Sequence, residues 1–161
     1  TSIAVIITDG LDGLVTGLII IALIAFWFLV SSTGFVDVSL FIAVMVGSLL
    51  AFMYFNIYPA RVWLGDTGAL ALGAMLAVIA LVSSSALLLP LIGFVFTMET
   101  ASVLIQWTSK ATRNGKKVFL SSPIHHHFEA KGWDETKVTM RFWLAGAVFA
   151  FLGIFIALIN R

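Results

Sequence analysis

The sequence predicts an all-α membrane protein that crosses the bilayer about five times. Of its 161 residues, 61% are hydrophobic and 11% are charged, and the mean hydropathy of +1.11 excludes an ordinary soluble domain. Apolar runs long enough to cross a hydrocarbon core about 30 Å thick recur along the chain. The absence of cysteine excludes disulfides and thiolate metal sites. We therefore expect one transmembrane domain over residues 1–161.

The apolar runs predict five helices, at 14–30, 38–55, 67–82, 86–107 and 140–159. In the third helix, Gly68, Gly73 and Ala77 would let neighbouring backbones approach closely. The fourth contains Pro90 and Glu99. Because an ionisable group at membrane depth is costly unless it has a partner, we expect Glu99 to hydrogen-bond between helices.

The basic residues predict the orientation of the chain. Five crossings place "TDGLDG", "NIYPARVWLGD" and the loop 108–139 on one side of the membrane. That side carries Arg61, Lys110, Arg113, Lys116, Lys117, Lys131, Lys137 and Arg141. Only Arg161 is assigned to the opposite side. The positive-inside rule makes the first side cytoplasmic.

The first candidate site segment is "TDGLDGL", in which Asp9 and Asp12 are each followed by glycine. Carboxylates three residues apart face the same way if the segment is helical. The alternative is a turn and helix N-cap whose acidic groups complement the helix dipole.

The second segment is "FNIYPARVWLGDTG", with Asp66 at the start of a predicted helix. A carboxylate there could hold Mg²⁺ while substrate phosphates complete the coordination shell. Trp63 offers an aromatic surface for a base, and Asn56 an amide that donates and accepts. The alternatives are a helix cap for Asp66 and an interfacial aromatic belt for Trp63. Gln106, in the fourth helix, is expected at the edge of such a site.

The third segment, "SSPIHHHFEAKGW", contains all three histidines of the chain, His125, His126 and His127. Successive residues on a helix point about 100° apart, so three imidazoles cannot share one helical face. A turn or extended segment would direct at least two of them toward a site, where ring N–H groups donate to phosphate oxygens. A zinc site is the rival interpretation, although zinc ligands are usually more widely spaced. A solvated loop is the third.

Together, "TDGLDGL", "FNIYPARVWLGDTGALALG" and "SSPIHHHFEAKGW" resemble the phospho-N-acetylmuramoyl-pentapeptide-transferase family. The resemblance implies a ten-helix fold with a cytoplasmic active site, of which this chain is similar to the last five helices. It implies Mg²⁺-dependent transfer of phospho-MurNAc-pentapeptide from UDP-MurNAc-pentapeptide to undecaprenyl phosphate, giving lipid I and UMP in peptidoglycan synthesis. It also implies the bacterial inner membrane, no nucleic-acid partner, and a family that is commonly homodimeric.

The resemblance assigns roles to the acidic and aromatic residues. Asp66 matches the catalytic aspartate that binds Mg²⁺, and Asp9 and Asp12 match loop aspartates that contact the nucleotide. Trp63 stands where the family commonly has a phenylalanine that stacks on uracil.

The resemblance also assigns the remaining polar residues of the site. Asn56 and Gln106 match residues that line the nucleoside pocket. His125, His126 and His127 match a triple-histidine motif near the diphosphate, and we expect them to be catalytic.

Two departures from the family pattern bear on activity. The chain reads "TSIAVI" where the family usually reads "TSNAVN", so Ile3 and Ile6 replace expected asparagines. Isoleucine cannot replace an amide's hydrogen bonds, and each partner left unpaired costs about 1–3 kcal/mol. The family's paired aspartates, one of them the proposed base, have no counterpart here. We therefore expect a fragment that does not turn over alone.

Three other functions compete with this interpretation. The nearest is a polyprenyl-phosphate N-acetylhexosamine-1-phosphate transferase, which shares the aspartate loops but carries a different histidine motif. A membrane transporter or sensor with the histidines as metal ligands is a second. The third is a five-helix bundle without activity.

Overall fold

The computed structural model describes residues 1–31 and 34–159, and every regular element in these two ranges is helical. The α-helices are α1 (Ser2–Thr8), α2 (Leu14–Ser31), α3 (Val36–Asn56), α4 (Gly65–Val82), α5 (Leu89–Ile92), α6 (Phe94–Thr112), α7 (Ile124–Ala130) and α8 (Glu135–Ile159). A short 3₁₀ turn, Ala86–Leu88, precedes α5. The predicted all-α class is confirmed.

Four helices, α2, α3, α4 and α8, are long and apolar enough to cross a membrane. The segment Ala86–Thr112 is a fifth span only if its two parts are counted together, because they meet at an angle of 77°. Residues 1–31 and 34–159 therefore contain four or five candidate spans, and the helix predicted over 86–107 is divided in two at Gly93.

The bend in this segment has a local cause. Pro90 lies in the first turn of α5, where its missing N–H is tolerated. Gly93 separates α5 from α6, and an added β-carbon there would lie 3.0 Å from the carbonyl oxygen of Leu89. The hydroxyl of Thr97 donates to the carbonyl oxygens of Pro90 and Gly93, at 3.2 and 3.3 Å. A proline and a glycine three residues apart thus break the helix that hydropathy predicts as continuous.

Other predicted boundaries also change. The last helix begins at Glu135 rather than at 140. Its first turn is polar, so hydropathy does not indicate that it is helical. The predicted loop 108–139 contains the end of α6, all of α7 and the start of α8. The short helix α1 escaped prediction because only seven residues form it.

Helix α2 is the central helix of the bundle. Of its membrane-length window, 72% is buried, compared with 17% for α3 and 22% for α8, which flank it. Gly17 of α2 faces the indole ring of Trp143 in α8, and no β-carbon would fit between them. The outward faces of α3 and α8 are apolar, as lipid contact requires.

Helix α1 packs on the other side of the bundle, against α4 and α6. Because the spans alternate in direction, the segments 9–13, 57–64 and 113–134 lie at one end of the bundle. Contacts between these segments, given below, confirm the predicted convergence. Arg161, predicted on the opposite side, lies outside the described residues.

Candidate active site

The segment "TDGLDG" is a compact turn between α1 and α2. Asp9 terminates α1, and the N–H of Gly10 donates to the carbonyl oxygen of Thr8 at 2.8 Å. Gly13 has φ of +73°, a region that favours glycine, and packs closely against Ile57. The predicted turn is thus confirmed, and Asp9 and Asp12 do not share a helical face. The predicted N-cap is wrong, because Asp9 ends α1 and both carboxylate oxygens of Asp12 bind the α3–α4 loop.

Asp12 ties the turn to the α3–α4 loop and to the start of α8. Its Oδ2 accepts the N–H of Ala60 at 2.9 Å, and its Oδ1 accepts the indole N–H of Trp63 at 3.1 Å. Its own N–H donates to Oε1 of Glu135, at the start of α8, at 2.7 Å. Both carboxylate oxygens are therefore used within the protein. The contribution of Glu135 was not predicted, because an acidic first turn is common in helices.

Asn56 is the last residue of α3, and Trp63 lies in the loop that joins α3 to α4. The indole of Trp63 is 68% exposed, so its faces remain open while Asp12 holds its edge. Asn56 is buried; its Oδ1 accepts the hydroxyl of Thr16 at 2.6 Å, and its Nδ2 donates to the carbonyl oxygen of Val62 at 3.0 Å. Asn56 therefore shapes the backbone that presents Trp63. Its role toward a nucleoside stays a prediction.

Asp66 and Asp9 form the acidic centre of this end of the bundle. Asp66 is exposed in the first turn of α4, where a carboxylate complements the helix dipole. Burial raises the pKa of the Asp9 carboxyl, and the negative charge of Asp66 raises it further. The two carboxylates are thus close enough to repel each other, and a cation between them would relieve the repulsion.

This pair fits the way Mg²⁺ is commonly held. Proteins usually bind Mg²⁺ through one or two carboxylates, with water and substrate phosphates completing the octahedron. Among residues 1–31 and 34–159, no three His, Asp or Glu side chains come together as a complete metal site. Asp9 and Asp66 can therefore hold Mg²⁺ only as part of a shell shared with a ligand.

Replacing Asp9 with asparagine is expected to stabilise the metal-free chain at neutral pH by up to about 1 kcal/mol, the upper range for surface charge pairs. The pKa of Asp9 is raised on folding, so the folded state of the wild-type chain loses stability as the pH rises through that value. The gain should therefore vanish below pH 3.8, the ordinary pKa of the group. Unfolding in detergent across a pH series measures it; an equal gain at every pH would contradict the raised pKa of Asp9.

The histidine segment is the helix α7, which contradicts the expected turn or extended chain. Pro123 precedes the first turn, and Oε2 of Glu99 accepts the otherwise unpaired N–H of Ile124 at 3.0 Å. This helix start was hidden in the sequence, because the partner of the helix N-terminus lies on a distant helix.

The three imidazoles of α7 consequently face different partners. His125 is fully buried, with Nδ1 3.1 Å from Oε1 of Glu99. Nδ1 of His126 lies 2.5 Å from Oε2 of Glu129, and both side chains are partly exposed. His127 accepts the N–H of Leu120 at Nδ1, at 3.0 Å. They do not form one ligand set, and the zinc interpretation finds no support in this geometry.

Glu99 and Gln106 connect α6 to the segment that follows it. The expectation that Glu99 bonds between helices is confirmed, although its partner, the histidine helix, was not foreseen. Gln106 is buried and binds backbone: its Oε1 accepts the N–H groups of Val118 and Phe119 at 3.0 Å, and its Nε2 donates to the carbonyl oxygen of Phe119 at 2.9 Å. Gln106 therefore organises the loop beside the site, and its nucleoside contact stays a prediction.

Comparison with known proteins places these residues in a family. The sequence profile of glycosyl transferase family 4 matches residues 2–84, which include Asp9, Trp63 and Asp66. A phospho-N-acetylmuramoyl-pentapeptide-transferase from Shouchella clausii is 50% identical over 154 residues, or 95% of this chain and 47% of the relative. Proteins of the same name from Geobacillus kaustophilus and Staphylococcus saprophyticus are each 48% identical, with the same coverage.

The chain spans about half the length of the curated relatives it matches. Those matches extend over nearly the whole chain and so include the histidine helix. The profile match covers half of the chain and contains both members of the acidic pair. On this basis the chain belongs to glycosyl transferase family 4.

Proposed function

We propose that this chain forms part of a membrane transferase that moves phospho-MurNAc-pentapeptide from UDP-MurNAc-pentapeptide to undecaprenyl phosphate, giving lipid I and UMP. The names of its relatives support a glycosyl-1-phosphate transferase of peptidoglycan synthesis. The observation that carries the proposal is the Asp9–Asp66 carboxylate pair, at the end of the bundle where α7 also lies. Asp9 is on the same turn as Asp12, which holds the exposed ring of Trp63.

The proposed roles follow from the chemistry of these side chains. Asp9 and Asp66 would hold Mg²⁺ against the diphosphate, where the ion offsets the negative charge that grows as the phosphoryl group is transferred. The open face of Trp63 would stack on uracil, with Asp12 fixing the plane of the ring. His126 and His127 lie at the surface of α7, from which ring N–H groups could donate to phosphate oxygens.

The bend between α5 and α6 creates a place where the lipid acceptor could bind. An apolar groove of about 360 Å³ lies at the bend between α5 and α6, lined by side chains that include Leu76, Pro90, Phe96 and Leu104. A prenyl chain could lie along it while its phosphate stays at the polar end. With the basic residues clustered at that end, we propose that the site faces the cytoplasm from the bacterial inner membrane.

A reconstruction assay tests this function. The chain would be joined to the part of the Shouchella clausii relative that it does not match, and incubated with undecaprenyl phosphate, Mg²⁺ and either nucleotide sugar. We expect lipid I and UMP from UDP-MurNAc-pentapeptide, no product after chelation of Mg²⁺, and none from the isolated 161-residue chain. Product from UDP-GlcNAc instead would assign the chain to the N-acetylhexosamine-1-phosphate branch and overturn the proposal.

A further inference from the structure

A line of buried contacts joins helix α6 to the turn that carries Asp9. Glu99 and His125 are both fully buried, although 26 sequence positions separate them. On the far side of the imidazole lies Gly10, where an added β-carbon would clash with Nε2 of His125. The order in space is thus Glu99, then His125, then the turn. No other histidine of the chain is enclosed in this way.

The contacts of Glu99 bear on which nitrogen of the His125 ring carries a proton. Oε2 accepts the N–H of Ile124 at 3.0 Å, whereas Oε1 lies 3.1 Å from Nδ1 of His125 without forming a hydrogen bond. The second approach is off the line of an ideal N–H···O bond, but its distance is that of an ion pair. A carboxylate accepts and does not donate, so this short distance favours a proton on Nδ1.

The opposite nitrogen of the ring has no protein partner. Nε2 of His125 is buried and makes no hydrogen bond to any described residue. Its immediate neighbour is the backbone of Gly10, one residue from Asp9. A buried polar atom without a partner is costly. The nearest charged group to the other edge of the ring is the carboxylate of Glu99, 3.1 Å from Nδ1.

We propose that Glu99 is a positioning residue. By holding Nδ1–H of His125, it orients the imidazole that packs against Gly10 in the Asp9–Gly10 turn. Asp9 then reaches the position from which it faces Asp66. The consequence for catalysis rests on the proposed function; the orientation of the ring and of the turn does not. His125 thereby acts through the turn, whereas His126 and His127 lie at the surface.

The chain supplies a matched control. The His126–Glu129 pair is also a carboxylate beside an imidazole on α7, but its side chains are 43% and 33% exposed. The His126 ring lies 4.1 Å from that of His125, and it is His125 that contacts Gly10. In Glu99→Gln, the side-chain amide has one oxygen to accept a hydrogen bond, whereas the N–H of Ile124 and Nδ1–H of His125 both need an acceptor. One of these two groups would therefore face the amide N–H of the glutamine. Glu129→Gln makes the same chemical change at the surface, where water can replace the lost bond.

Imidazole NMR tests the proposal in the 161-residue chain reconstituted in lipid nanodiscs. The chain has only three histidines, so ¹⁵N-histidine labelling gives three rings, which single His→Asn variants assign. We expect a protonated Nδ1 in His125 and an unprotonated Nδ1 in His127, which accepts from Leu120. This first measurement needs no substitution at Glu99; an unprotonated Nδ1 in His125 would overturn the proposal.

The variants then test the effect on the turn. We expect Glu99→Gln to shift the proton of His125 and the amide signal of Gly10, whereas Glu129→Gln changes His126 and leaves the Gly10 signal in place. In the reconstructed transferase, Glu99→Gln should lower kcat by about 10- to 100-fold, the usual effect of losing a partner that orients a site residue, with little change in the nucleotide KM. Glu99→Asp, which keeps the carboxylate, should restore part of it.

The outcomes separate this inference from the proposed function. Equal Gly10 signals in the Glu99→Gln and Glu129→Gln chains would overturn the positioning role. A shifted Gly10 signal together with an unchanged kcat would overturn its catalytic consequence. If the wild-type reconstruction makes no lipid I, the proposed function fails, while the NMR result still decides whether Glu99 orients the ring.

Discussion

Replacing Asp66 with asparagine is expected to lower lipid I formation by the reconstructed transferase by about 100-fold or more. Removing one charged group that stabilises a transferring phosphoryl group commonly has an effect of that size. The side chain is exposed in the first turn of α4, so the substitution should leave the fold intact. Steady-state kinetics at several Mg²⁺ concentrations measure the loss, and we expect excess Mg²⁺ not to restore it.

The chain offers a control at an equivalent helix position. Asp37 is also an exposed acidic residue in the first turn of a span, α3, but it lies at the opposite end of the bundle. Asp37→Asn should leave kcat and its Mg²⁺ dependence unchanged. Equal losses from both substitutions would mean that Asp66 acts through general charge or helix stability rather than at a site.

Replacing Gly73 with alanine is expected to destabilise the chain by about 1–3 kcal/mol, the usual cost of overpacking a well-packed contact. The added β-carbon would lie 2.6 Å from the backbone Cα of Ser2 and 3.1 Å from Val5. Because backbone cannot move aside as a flexible side chain does, α1 would be displaced from α4. The Asp9 turn follows α1 directly, so the nucleotide affinity of the reconstructed transferase should fall as well.

Gly47 provides the comparison for this prediction. It lies inside α3, with nothing within 4 Å of an added β-carbon. Gly47→Ala should therefore be neutral, or stabilising by up to about 1 kcal/mol from helix propensity alone. Unfolding free energies in mixed detergent micelles measure both variants. A neutral Gly73→Ala would contradict the close packing of α1 on α4.

The features that could be predicted from the sequence depend on local chemistry. Hydropathy located α2, α3, α4 and most of α8, because a membrane span needs about 20 apolar residues whatever packs against it. Alternation of the spans then placed the polar segments at one end. Hydropathy could not reveal the bend near Gly93, since the residues on both sides of it are apolar.

In the candidate site, too, some residues could be recognised from the sequence and others could not. Asp66 and Trp63 are exposed, so their residue types were informative by themselves. The partners that hold the site came from distant parts of the chain: Glu135 for Asp12, and Glu99 for His125. Such pairs depend on tertiary contacts across α1, α6, α7 and α8, which no local pattern encodes.

Proximity of the two acidic positions is the claim on which the account depends, and the chain has no cysteine to interfere with a direct test. In membranes, the double variant Asp9→Cys/Asp66→Cys should be cross-linked rapidly by a short thiol-specific reagent, whereas Asp37→Cys/Asp66→Cys should not. Failure of the first pair to cross-link, or comparable cross-linking of both, would contradict the convergence of the aspartate turn and the start of α4 at one end of the bundle.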